Sequence, residues 1–254
     1  MLASFQAKNP GRSLSGLLFY EFCYFCVRFT LTLFYKFRVW NSHLCPASGP
    51  VLVVTNHQSH LDPIVAGMAI PSRHLNFVAK STLFKSKFFA TLIAGLNSIP
   101  LKQGESDTAA IRTTIEYLKQ GRCMLIFPEG SRTLDGAVHE FKRGAWLLMS
   151  RAKCTILPVG IDGCFDAFPR STPFPRLWHG VRIGAVVGQP ITAETLLKMS
   201  PDEGLAFLRQ TVEDLRLQAV ERLRRTGFEP STIPMNESFL DDEGRPLEKI
   251  SLQG

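Results

Sequence analysis

Acidic residues, uninterrupted apolar runs and regular cysteine spacing are all scarce in this chain, which carries 22 Asp and Glu against 29 Lys and Arg. Each scarcity excludes something. The six cysteines, Cys23, Cys26, Cys45, Cys123, Cys154 and Cys164, follow no disulfide-framework spacing. Several lie in apolar runs, where a thiol behaves as a small hydrophobe, and this favours a reducing compartment. Cys23 and Cys26 form a C-x-x-C, but Tyr24 and Phe25 fill the gap and no second ligand pair follows, so structural thiols are preferred to a metal or redox pair. No charge-free run reaches the roughly 18 residues of a plain membrane span. Leu17 to Val39 has the length, yet Glu21, Arg28, Lys36 and Arg38 interrupt it. A clean secretory signal is missing too, and a helix lying in the membrane interface fits this segment better than a crossing one. Internal repeats and nucleic-acid-binding motifs are absent.

What is present is a chain of 254 residues, 45% hydrophobic, long enough to bury one sizeable core and short for two enzyme domains. The net charge of +7 is unevenly placed, because Phe228 to Gly254 holds six acidic and two basic residues and leaves the body more basic than the whole. A basic body can meet nucleic acid, anionic lipid or phosphorylated metabolites. The aromatics favour lipid: Phe19, Phe22, Phe25 and Phe29 crowd the N-terminal segment, and Phe77, Phe84, Phe88 and Phe89 interleave with Lys80, Lys85 and Lys87.

Pro46 and Gly49-Pro50 break the N-terminal helix pattern. The expected organisation is a membrane-associating segment over 1–45 with a disordered start at 1–16, a catalytic domain over 46–227, and an acidic, flexible tail over 228–254. Within the domain, short β-branched runs at 51–55, 76–79, 123–127, 155–161 and 181–188 alternate with helical patterns at 63–70, 82–95, 106–120 and 141–151, and an amphipathic helix closes the domain at 202–225. Alternation of this kind predicts an α/β fold, a single layered domain with a central mixed sheet flanked by helices and preceded by the interfacial helix.

Polar residues mass in Asn56-His57-Gln58-Ser59-His60-Leu61-Asp62-Pro63, just past the apolar strand at 51–55, where open α/β sheets place their sites. A carboxylate five residues beyond a histidine can accept from one ring nitrogen and leave the other to take a proton. On a regular helix the two would stand about 140° apart, so the pair requires a turn. Asp62 before Pro63 also reads as a helix N-cap. His57, His60 and Asp62 are a possible zinc set, but no distant partner completes it, and no metal is expected. A nucleophilic side chain is missing, which leaves the substrate to supply the hydroxyl. Backbone N–H groups of the 56–63 turn are candidates for holding an oxyanion. A second cluster, Phe127-Pro128-Glu129-Gly130-Ser131-Arg132, follows the strand at 123–127, with donors suited to phosphate and a carboxylate able to accept from a substrate hydroxyl. A plain turn is its other reading.

These motifs resemble those of the glycerolipid acyltransferases typified by 1-acylglycerol-3-phosphate acyltransferases. Asn56-His57-x4-Asp62 is similar to the first motif and Phe127 to Arg132 to the third. Ile99-Pro100-Leu101-Lys102-Gln103-Gly104 stands at the second, Ile156-Leu157-Pro158-Val159-Gly160 resembles the fourth, and Phe141-Lys142-Arg143-Gly144-Ala145 and Gly188-Gln189-Pro190-Ile191 add further likeness. The resemblance implies that His57 deprotonates the acceptor hydroxyl while Asp62 holds it, and that Glu129, Gly130, Ser131 and Arg132 bind the glycerol and phosphate. Lys102 and Gln103 would join them. The co-substrate would be an acyl thioester, of coenzyme A or of acyl carrier protein, with no other cofactor, and the enzyme would work at the cytoplasmic face of a membrane among its lipids. Gln103 stands where the family has arginine, which opens the acceptor to other lysophospholipids or acyl-amino-acid lipids. A hydrolase passing the acyl group to water and a non-catalytic lipid-binding protein are the readings from other classes.

Overall fold

Val51 to Thr55 is apolar on both faces, the pattern of a strand covered by helices from both sides, and it takes the middle of the sheet. The computed structural model describes residues 13–80, 98–101, 107–177 and 180–224. Their strands are β1 (Arg38–Trp40), β2 (Val51–Thr55), β3 (Leu75–Lys80), β4 (Ser98–Leu101), β5 (Cys123–Ile126), β6 (Thr155–Asp162) and β7 (Gly184–Val187). They form one sheet in the order β1-β7-β6-β2-β5-β3-β4. All neighbours are parallel except β6 and β7, which pair antiparallel with Gly160 opposite Val186, so the sheet is mixed as expected.

Successive side chains of β2 supply both cores, since strand residues alternate faces. Val51 and Val53 join one with α1 (Leu14–Tyr35), α2 (Asp62–Ala69) and the short α5 (Cys164–Ala167). Leu52 and Val54 join the other with α3 (Asp107–Lys119), α4 (Arg143–Ala152), α6 (Ala193–Leu196) and α7 (Pro201–Arg224). The last of these lies hard against β6: a Cβ on Gly160 would come within 2.2 Å of the Arg216 nitrogen. Arg216 then reaches Glu213 on its own helix and, at 3.0 Å, Asp162 at the end of β6.

The N-terminal helix differs from expectation at both ends. It starts earlier, with Ser13 as its cap, and Lys36 in left-handed geometry stops it after Tyr35. Arg38 and Val39, expected to be helical, instead form with Trp40 the outermost strand, on β7. Leu31, Tyr35 and Phe37 are core residues, while Phe22, Phe25 and Phe29 stand between 60% and 70% exposed. The start at 1–12, the helix expected at 82–95 and the tail from Phe228 lie outside the described residues.

Candidate active site

Three parallel neighbours, β2, β5 and β6, deliver their carboxyl ends side by side, and the polar cluster stands on that edge. Asn56, the first residue past β2, is fully buried and grips the neighbouring strand end, accepting from Ile161 N at 2.9 Å and donating to Ile161 O at 2.8 Å. This pins the chain where it must turn. Gln58 donates to Gly136 O at 2.9 Å and accepts from Phe165 N, and the Ser59 hydroxyl donates to Phe168 O at 2.8 Å. Asp62 N donates to Ser59 O, closing the turn that precedes α2.

The turn brings His57 and Asp62 together. His57 Nδ1 lies 2.8 Å from Asp62 Oδ2, and the same oxygen accepts from Gln58 N at 2.5 Å and Ser59 N at 2.6 Å. An acidic oxygen with two backbone donors takes the ring proton as its third, so Nδ1 carries the hydrogen and Nε2 carries the lone pair. The ring stacks on Phe127 with centroids 3.9 Å apart, and its side chain is 17% exposed against none for Asp62. Among the described residues no hydroxyl or thiol hydrogen-bonds to Nε2. Beside the pair, burial and the Asp62 carboxylate push the Cys164 thiol well above its usual range, so it stays protonated.

Two expectations are corrected here. Asp62 is not the N-cap of α2: Leu61 occupies that place, and Asp62 turns its carboxylate backward onto residues 57 to 59, whose buried donors would otherwise be unsatisfied. Four N–H groups of the turn that were candidates for holding an oxyanion are taken within the protein. Those of Gln58 and Ser59 go to Asp62, that of Leu61 to Ser59 Oγ, and that of His57 to Glu129 Oε1 at 2.8 Å.

Glu129 is buried, and both of its oxygens are engaged, the second by His139 N at 3.2 Å. Thr133 N returns a bond to His57 O at 2.7 Å. The segment after β5 thus clamps the main chain of His57 from both sides. Burial pushes the Glu129 carboxyl up to about 7, against the pull of the two backbone donors. Gly130 has a positive φ of 74°, and a Cβ there would strike the Lys142 ammonium at 2.8 Å. Ser131 is exposed, Arg132 is buried, and Arg170 donates to Arg132 O at 3.3 Å. Lys102 and Gln103 lie outside the described residues. His60 faces Phe168 instead of joining His57, and among the described residues no group of three or more His, Cys, Asp or Glu is placed to hold a metal.

Sequence reasoning quoted Asn56, Gln58 and Ser59 but gave them no task. Their signal was density of hydrogen-bonding groups at a strand end; their partners, at 136, 161, 165 and 168, are too distant along the chain to be read from spacing.

The family model of the acyltransferases matches residues 36–162, from the end of α1 to the end of β6. The chain belongs to the acyltransferase family. This acyltransferase is 24% identical over 202 residues to the 1-acyl-sn-glycerol-3-phosphate acyltransferase of Bacillus subtilis (strain 168), covering 80% of its own length and 96% of that relative. It is 27% identical over 161 residues to a chloroplastic 1-acyl-sn-glycerol-3-phosphate acyltransferase of Arabidopsis thaliana, 62% of this chain and 44% of the longer plant protein. Its fold matches the crystal structure of the 1-acyl-sn-glycerophosphate acyltransferase of Thermotoga maritima with a TM-score of 0.63 at 25% identity, over 84% of this chain and 81% of that one.

Proposed function

We propose that this acyltransferase moves an acyl group from a thioester to the free hydroxyl of 1-acylglycerol 3-phosphate, forming phosphatidate for phospholipid synthesis. The observation that carries the reading is the buried Asp62 carboxylate on His57 Nδ1, which leaves Nε2 as an oriented base with no hydroxyl or thiol of the described residues bonded to it. Nε2 removes the proton of the acceptor hydroxyl as its oxygen attacks the thioester carbonyl. The tetrahedral oxyanion collapses, the carbon–sulfur bond breaks, and the departing thiolate takes the proton back from the imidazolium. The thioester is already activated, so one base and good positioning suffice.

Ser131 and Arg132, with Lys102 and Gln103, are assigned to the glycerol phosphate head. Glu129 is assigned to positioning His57, because its two oxygens are occupied by backbone N–H groups. The relatives named above act on 1-acyl-sn-glycerol 3-phosphate by name, which supports that acceptor. The donor is acyl-coenzyme A or acyl carrier protein. The enzyme works at the cytoplasmic face of a membrane: α1 is apolar enough to engage a bilayer, and all six cysteines are unpaired, as a reducing compartment would keep them.

Thiol release from palmitoyl-coenzyme A in detergent, with and without lysophosphatidate, tests this reading. Release that depends on the acceptor and falls by about 10²- to 10⁴-fold in His57→Ala is expected. Release without acceptor would make the protein a thioesterase, and absence of any release, both here and with palmitoyl-acyl carrier protein as donor, would point to a lipid-binding role.

A further inference from the structure

The exposed face of α1 is not uniformly apolar at its C-terminal end. Leu18, Phe22, Phe25, Phe29 and Leu33 recur at three- and four-residue intervals and stay exposed, forming the stripe that the interfacial reading presses against lipid. Where the helix stops, a cavity of about 520 Å³ opens between its last turns and β1, lined by Arg28, Thr32, Lys36, Phe37, Arg38 and Trp40 among others, with no acidic residue in the lining. The residues of this cavity are not equally engaged with the rest of the protein. Arg28 is held over the Phe37 ring at 5.0 Å and donates to Met68 O at 3.5 Å, and Trp40 is covered by Arg222 at 5.4 Å. Lys36 sits on a fixed left-handed backbone whose N–H is bound to Leu31 O and Thr32 O. Arg38 is anchored by the pairing of β1 with β7. The side chains of Lys36 and Arg38 are exposed and make no ion pair or hydrogen bond among the described residues.

We propose that this cavity is a binding site for the phosphate headgroup of an anionic membrane phospholipid, separate from the acceptor site at His57. The inference rests on the interfacial reading of α1. Three cationic residues line one concavity, and a phosphodiester has the charge and the oxygens to engage them: a guanidinium offers a planar fork and an ammonium a point charge. The apolar stripe next to the cavity is where the acyl chains of the same lipid would lie, so one lipid satisfies both features. A free phosphate would satisfy only the first. The site would give the enzyme a preference for anionic over zwitterionic membrane.

The test is sedimentation of the full chain with phosphatidylcholine vesicles and with phosphatidylcholine–phosphatidylglycerol vesicles. Wild type is expected to prefer the anionic vesicles. The double variant Lys36→Gln with Arg38→Gln is expected to lose about thirtyfold in affinity for them, each basic residue near an anionic surface being worth roughly fivefold, while keeping wild-type turnover in detergent. A charge-matched control, Arg151→Gln with Lys198→Gln on the opposite side of the sheet, is expected to lose far less. Equal losses in the two double variants would mean diffuse attraction and would overturn the site, as would no loss in the first. Competition by millimolar glycerol 3-phosphate in place of lipid would overturn the lipid as its ligand. Phe22→Ser with Phe25→Ser separates the two layers of the argument. If that variant binds vesicles like wild type, the interfacial reading of α1 fails; if it loses binding while the Lys36 and Arg38 variant does not, only the headgroup site fails.

Discussion

One oxygen of Asp62 receives three donors, the His57 ring and two backbone N–H groups, so the residue both shapes the turn and charges it. Asp62→Asn keeps an acceptor but removes the negative charge that favours an imidazolium, and kcat is expected to fall on the order of 10²-fold or more with the acceptor KM little changed; steady-state kinetics in detergent measure both. Glu129 carries a different prediction. Its carboxyl titrates near 7 when folded against 4.5 as its ordinary value, so the folded state holds this proton more tightly than the unfolded one. The contribution of Glu129 to stability is therefore greatest below pH 4.5 and is lost as pH rises through about 7. Glu129→Gln should flatten that part of the Tm profile between pH 5 and 8. It should also lower kcat more than it raises the acceptor KM, since the amide nitrogen cannot accept from a backbone N–H; a selective rise in KM would return Glu129 to substrate binding. Spacing alone left the pairing of His57 with Asp62 open, since Asp62 before Pro63 also read as a helix N-cap, and it was the resemblance of the Asn56-His57-x4-Asp62 motif that singled the two out. The task of Glu129 was not, because it depends on β5 lying beside β2.

Elements whose pattern is complete within themselves were easy to read. Val51 to Thr55 is bounded by Pro50 and a polar turn, and its limits agree with expectation; the helix expected over Ser106 to Gln120 is seen as Asp107–Lys119, with Ser106 outside the described residues. Arg38 to Trp40 was missed because three residues show no period and the helix before them ends at a lysine in left-handed geometry, with no glycine to signal the stop. Val181 and Ile183 were expected in a strand and are buried outside one, since β7 begins only at Gly184. The closeness of α7 to β6 is likewise invisible in sequence, and it is testable. Gly160→Ala places a methyl against backbone, 2.2 Å from Arg216 N and 2.4 Å from the Leu215 carbonyl carbon. Urea denaturation should show a loss of roughly 3 kcal/mol or more, at the severe end of overpacking. Gly130→Ala meets only the flexible end of Lys142 and should cost less in stability, about 1 kcal/mol from its positive φ.

At the scale of the described molecule, α1 carries an exposed apolar stripe and also belongs to the core. Removing residues 1–45 would take β1 together with Leu31, Tyr35 and Phe37, so insoluble protein is expected from that truncation and it does not test membrane binding. Replacing Phe22 and Phe25 by serine touches only exposed positions; vesicle sedimentation should fall while Tm in the absence of lipid stays within a degree or two of wild type. The foot of α1 is bolted down: Ile183 N donates to Tyr35 O at 3.1 Å and Arg38 N to Ile183 O at 3.1 Å. A helix fixed in this way is no flexible tether. Under the proposed interfacial reading of α1, such a helix would hold His57 at one height above the lipid plane, and a lipid acceptor would have to leave the bilayer by that much to reach it.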